Sequence, residues 1–157
     1  MARQARISKL DYEALAAFRA ALRRFLRFTE EGARAAGLTP QQHQLLLAVK
    51  GQPGRHWVSI KEVAEALQVR HHAAVGLVDR CEGAGLVRRV ADPHDRRQVR
   101  VVLTAAGEKV LERLSARNRR ELETLREALG GPFVSRGRVG SSSHATGRPA
   151  RPRSRRG

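Results

Sequence analysis

Cysteine is nearly absent from this 157-residue chain: Cys81 stands alone. That excludes an internal disulfide framework and fits a reducing, cytoplasmic compartment. Aromatics are as scarce, at 4% of residues with one tryptophan and one tyrosine, too few for the stacking platforms of single-strand nucleic-acid binders. Long hydrophobic runs are missing too. The longest strongly apolar stretch, Leu45–Val49, is far short of the roughly 20 residues of a membrane helix, so no membrane partner is expected. Residues Met1–Arg6 lead into an amphipathic segment and not into the apolar core of a secretion signal. The machinery of catalysis is also wanting. There is no glycine-rich phosphate loop, no nucleophile elbow and no carboxylate pair in an apolar setting. The acidic residues alternate with Arg or Lys, as on solvated helix faces. His71 and His72 are adjacent, whereas two ligands on one helix face need a spacing of three or four. The chain is therefore expected to be no enzyme, to hold no metal and to need no cofactor.

Acidic residues are outnumbered: 15 Asp and Glu stand against 31 Lys and Arg, for a formal charge of +16. Part of the excess sits in residues 130–157, a Gly-, Ser-, Pro- and Arg-rich segment with no periodicity, expected to be a disordered tail. Its seven arginines could add sequence-blind phosphate contacts. The rest still carries 24 basic residues against 15 acidic ones, which suits a polyanionic partner. With residues 1–7 read as an arm, residues 8–129 remain as one domain, long enough for a real core.

Helix signals divide that domain. Ser8 with Asp11 forms a variant capping box, Thr39 precedes Pro40 at a first helical position, and Ser59-Ile-Lys-Glu62 is a full capping box. Apolar residues from Leu10 to Leu26 recur at helical spacing, predicting a helix over about 8–35 that stops near Gly37. A second, nearly buried helix follows over about 40–50, and His56–Val58 could form a short strand. Residues 61–67 and 70–83 read as two helices joined by a tight Gln68-Val69 connection, a helix-turn-helix. A last helix from Ala105 to about Leu129, capped by Thr104, repeats leucines at positions 111, 114, 122, 125 and 129 with Asn118 interrupting. At roughly 37 Å it is longer than the domain needs, and its surplus face wants a second copy of the chain.

Between the helix-turn-helix and that last helix lie two β-branched runs, Leu86–Val90 and Val99–Leu103, around Ala-Asp-Pro-His-Asp and the pair Arg96-Arg97. This predicts a protruding hairpin with a cationic loop. A cationic protrusion after a helix-turn-helix fits grooved, duplex nucleic acid. One of the two arginines could pair with Asp95 to stiffen the loop while the other probes the minor groove. Arg88, Arg89, Arg100 and Lys61 are candidates for phosphate contact.

The stretches LTPQQHQLLLAV, VDRCEGAGLVRR and DPHDRRQVRVVLTAAGEKVL together resemble the MarR family of bacterial transcription factors over residues 8–129. The resemblance implies a mainly α winged helix-turn-helix with a small β-hairpin, dimerising through its N- and C-terminal helices. It further implies sequence-specific binding to a pseudo-palindromic duplex, nucleoid association and repression released by a small lipophilic or phenolic effector. The recognition-helix readers implied are Arg70, His71, His72 and Gly76, and the wing arginines Arg96 and Arg97. The family commonly offers small hydroxyl residues and often an arginine where this chain has His71, His72, Ala73 and Gly76, so the target sequence is not legible. Phe18, Leu22, Phe25 and Leu46 are candidates for an effector cavity or for core packing. Leu10, Leu111, Leu114, Leu122 and Leu125 are candidates for the dimer contact, the last four for the core as well. A sequence-blind architectural protein and a protein-interaction module are the alternatives.

Overall fold

The structure, a computed structural model, describes residues 6–95 and 97–129. Residues 1–5 of the arm, Arg96 and the tail from residue 130 lie outside the described residues. The order is α1 (Lys9–Ala35), α2 (Pro40–Lys50), β1 (Trp57–Ser59), α3 (Ile60–Leu67), α4 (His71–Gly83), β2 (Val87–Ala91), β3 (Val99–Leu103) and α5 (Ala105–Leu129). No helix among the described residues is long and apolar enough to cross a membrane.

The caps sit where their chemistry requires. Ser8, Thr39 and Ser59 each accept a hydrogen bond from the backbone N–H three residues on, and Asp11, Gln42 and Glu62 return one to the cap. Each pair satisfies two donors that a helix start leaves open. α1 stops at Ala36 and α4 at Ala84. In both, the next residue, Gly37 or Gly85, takes a positive φ, and the following N–H, of Leu38 or Leu86, donates back five residues at 2.9 Å. The turn of the helix-turn-helix repeats this closure without glycine. Gln68 sits at φ 53 and Val69 N donates to the Ala64 carbonyl at 3.0 Å.

The hairpin is part of a three-stranded antiparallel sheet ordered β1-β3-β2. β3 lies in the middle, with Val101 facing Val58 on one side and Arg89 on the other. The short strand around Trp57 thereby gives the wing a second edge and ties it to the start of α3. The core gathers Leu45, Leu46, Val49, Val63, Val78, Cys81, Val87 and Val101 beneath the sheet. α1 packs along α5, with the Arg117 guanidinium over the Phe28 ring at 4.5 Å.

Two of the leucines that could serve either the core or the dimer contact fall in the core. Leu111 and Leu114 are each 4% exposed and join the central core, because α5 must first cover this chain's own α2 and sheet. Leu125 is buried as well. Leu10 at 69% and Leu122 at 46% remain free for a partner.

Candidate nucleic-acid interface

α4 opens without a side-chain cap. Arg70 is the N-cap residue, one place before the helix, and makes no capping hydrogen bond. Arg70, His71, His72 and Ala73 are all exposed. The first N–H groups of α4 and the positive end of its dipole thus face solvent beside an arginine, a setting that favours anions. The opposite face, Ala74, Leu77, Val78 and Cys81, is buried. Gly76 is half-buried beside a shallow concavity of about 220 Å³ that also involves Gln41, Val69, His72 and Arg80.

The wing is held at its base by one carboxylate. Asp92 accepts hydrogen bonds from the backbone N–H groups of His94 (2.8 Å) and Asp95 (3.2 Å), closing the turn over Pro93. It also accepts one from Arg100 Nε at 2.6 Å. The Arg100 guanidinium beside it, with these N–H groups, holds the Asp92 carboxyl below the usual carboxylate range. Arg100 in turn lies 4.1 Å from the centre of the Trp57 ring, and Arg55 lies 4.0 Å from the same ring. Arg55 pairs with Glu62, the capping carboxylate of α3. An unbroken series, Glu62–Arg55–Trp57–Arg100–Asp92, therefore connects the helix-turn-helix to the wing through ion pairs and cation–π contacts.

A second clamp joins the wing to α4. Arg89 donates to Asp79 (2.5 Å) and to Glu82, while its own N–H donates to Glu82 Oε1 at 2.8 Å. That backbone hydrogen bond, with the guanidinium, keeps the Glu82 carboxyl below its ordinary range.

These clamps correct the phosphate-contact expectation for Arg89 and Arg100. The two side chains lie on opposite faces of the sheet, Arg89 on the face of Val101 and Arg100 on that of Val90, and the donors of both are taken up by carboxylates. Arg88 and Arg97 are exposed and carry no ion pair with any described residue, and exposed Lys61 has only a loose 3.8 Å contact with Glu65. Asp95 stiffens the loop through the backbone: it accepts from the Arg97 N–H at 3.0 Å and from Gln98 Nε2 at 3.2 Å. The Arg97 guanidinium is left without a carboxylate among the described residues. Arg96 lies outside them.

The apolar cavity also differs from expectation. A groove of about 780 Å³ runs between α1, α2 and α5. Phe25 lines it, joined by Leu26, Leu47 and Leu122. Leu46 does not, since helical geometry points it about 100° from Leu47, into the core at 0% exposure. Phe18 and Leu22 sit too early on α1, one turn and more before the groove. Two buried polar groups open into this space. Burial lowers the His43 pKa, and Asn118 Oδ1 has no hydrogen-bond partner among the described residues.

A MarR-family model matches residues 36–98, from the end of α1 through the wing loop. Over these residues the chain is similar to the MarR family. The transcriptional regulator HosA of Escherichia coli O111:H- is 38% identical over 74 residues, covering 47% of this chain and 53% of HosA. The chain thus spans about half the length of the curated relatives it matches. A MarR family protein from Bacillus stearothermophilus superposes at a TM-score of 0.67 with 22% identity, over 85% of this chain and 91% of that one. A point mutant of MepR from S. aureus, bound to an oligodeoxyribonucleotide, gives a TM-score of 0.57 with 22% identity, over 80% and 89% of the two chains. At such identity these structures bear on the fold alone. They extend the likeness in fold beyond residues 36–98 to α1 and α5.

Three participants escape the linear sequence: Trp57 with Arg55, the Arg89 clamp and Arg80. The alternation Arg55-x-Trp57 hints at the first, since residues two apart share a strand face. Nothing local marks the others, whose partners come from another element or an earlier helical turn.

Proposed function

We propose that this chain is a transcriptional regulator that binds a pseudo-palindromic DNA duplex as a homodimer and represses by occluding a promoter. The observation that carries this reading is the pairing of an uncapped, cationic α4 start with a wing whose base is clamped while Arg88 and Arg97 stay free. α4 would enter the major groove, its N–H groups and Arg70 meeting phosphate and base edges, with Arg97 reaching the flanking minor groove. Exposed Leu10 and Leu122 supply an apolar surface on α1 and α5 for a second copy. That would set two recognition helices about 34–36 Å apart, one helical turn of DNA. MepR, whose fold this chain shares, is bound to an oligodeoxyribonucleotide, which supports the same docking here.

The α1–α2–α5 groove supports ligand responsiveness. Its walls are apolar, its buried histidine favours the neutral form, and Asn118 offers an acceptor with no donor among the described residues. A lipophilic molecule bearing a hydroxyl, such as a phenol, would satisfy that acceptor while burying its ring.

A competition assay tests the reading: the chain's own upstream promoter fragment against bulk duplex at two salt concentrations. A strong preference for the promoter supports it, and a specificity ratio near one overturns it in favour of an architectural role. Failure to bind duplex even at low salt would make the chain an interaction module instead.

A further inference from the structure

α4 carries a guanidinium that the sequence pattern does not single out. Arg80 is exposed and makes no ion pair with any described residue. The carboxylates nearest it in sequence, Asp79 and Glu82, are both occupied by Arg89. Helical side chains lean toward the N-terminus and cover the preceding turn. Accordingly, Arg80 Nη1 lies 3.4 Å from where a Cβ on Gly76 would stand. Glycine leaves that seat open, and the guanidinium rests at the rim of the concavity shared with Gln41, His72 and Ala73. Residues 72, 76 and 80 recur every four positions and 73, 76 and 80 at three and four, so they form one face, turned away from the buried Ala74, Val78 and Cys81.

We infer that Arg80, seated over Gly76, is a specificity-determining residue that reads one base pair in each half-site. Its planar fork suits the O6 and N7 of a guanine in the major groove, and Lys, a point charge, cannot reproduce that two-bond geometry. The glycine and the arginine act as a unit: a side chain larger than alanine at 76 would displace the fork. This inference rests on the duplex-binding reading above. Contact with phosphate alone is the competing outcome, and it is blind to sequence.

The test is selection from a random duplex pool by the full chain, followed by affinity measurement on the selected and bulk duplexes. The wild type is expected to enrich guanine at one position of each half-site. R80K and R80A are expected to lose that enrichment, the selected-to-bulk affinity ratio falling roughly five- to hundredfold. G76L, which fills the seat, should alter the preference at the same position. Circular dichroism checks that each variant is folded. The inference is overturned if guanine enrichment persists in R80K and R80A, or if affinity for selected and bulk duplex falls equally. A wild-type chain that binds no duplex overturns both the inference and the reading beneath it.

Discussion

Replacing Gly107 by alanine should unseat α5 from the sheet. Gly107 lies in the first turn of α5, where the helix comes down on the start of the wing. A Cβ there would stand 2.0 Å from the Leu86 carbonyl oxygen and 3.0 Å from its carbon. Comfortable carbon–oxygen approach is roughly 3.3 Å, so α5 must retreat by about 1 Å or tilt away. That carbonyl also accepts from Thr104 N at 3.0 Å, and Thr104 Oγ1 donates to the neighbouring Gly85 carbonyl at 2.6 Å, the two bonds that tie the cap of α5 to the residues leading into β2. Their loss costs about 1 kcal/mol each, and forcing a packed core apart adds about 1–3 kcal/mol. Against this, alanine favours helix over glycine by about 1 kcal/mol. The net loss is about 2–4 kcal/mol, a fall in Tm of roughly 8–16 °C at about 4 °C per kcal/mol. Urea and thermal unfolding followed by circular dichroism, at one fixed protein concentration, measure it. Gly83 is the control: a Cβ there meets nothing within 4 Å, and Gly83→Ala should be neutral or slightly stabilising. An unchanged or higher Tm for Gly107→Ala would refute the reasoning, since helix propensity would then outweigh the clash.

Asp92→Ala should free Arg100 and the loop over Pro93, lowering duplex affinity roughly tenfold, the scale of one base-pair readout, while the helical circular dichroism signal stays. Equal affinity would mean the wing needs no clamp. Burial pushes the Cys81 thiol up to about 11, so it stays protonated at neutral pH and should react with a thiol reagent only on unfolding. Rapid labelling of the native chain would contradict its placement in the core. Burial lowers the His43 pKa from its ordinary 6.5, so the unfolded chain binds more protons just below that value. The stability from keeping this imidazole neutral is fully present above pH 6.5 and declines as pH falls toward the folded pKa. His43→Gln should flatten that part of the urea-midpoint profile, and an unaltered slope would assign it to other groups. Leu122→Glu should shift sedimentation toward a monomer and weaken binding to a two-half-site duplex more than to a single half-site. A dimer that survives would move the contact elsewhere.

Much of the fold was legible because its signals are local. Three capping boxes, the breaks at Gly37 and Gly85 and the Asp-Pro turn each concern residues within a few positions, and the helix and strand bounds follow them closely. Long-range partners were not legible in the same way. Strand alternation alone cannot say that Arg88 faces solvent while Arg89 meets Asp79 and Glu82, because those carboxylates arrive from α4. Likewise Leu46 and Leu47 read as equivalent apolar neighbours, and only the positions of α1 and α5 send one to the core and the other to the groove. Leu111 and Leu114 fit a partner seam by spacing, but the chain's own core claimed them first.

The amino-acid order by itself determined the kind of object: helices with matched caps, a helix-turn-helix and a basic hairpin, all written in short-range periodicity and turn chemistry. The tertiary structure alone decided which charges are spent and which are free. Arg89, Arg100 and Arg55 are neutralised across element boundaries, whereas Arg70, Arg80, Arg88 and Arg97 keep unpaired guanidinium groups among the described residues. A charge count cannot make that distinction. Coulomb attraction and hydrogen-bond geometry act over a few ångströms, and folding alone brings residues distant in sequence within that range.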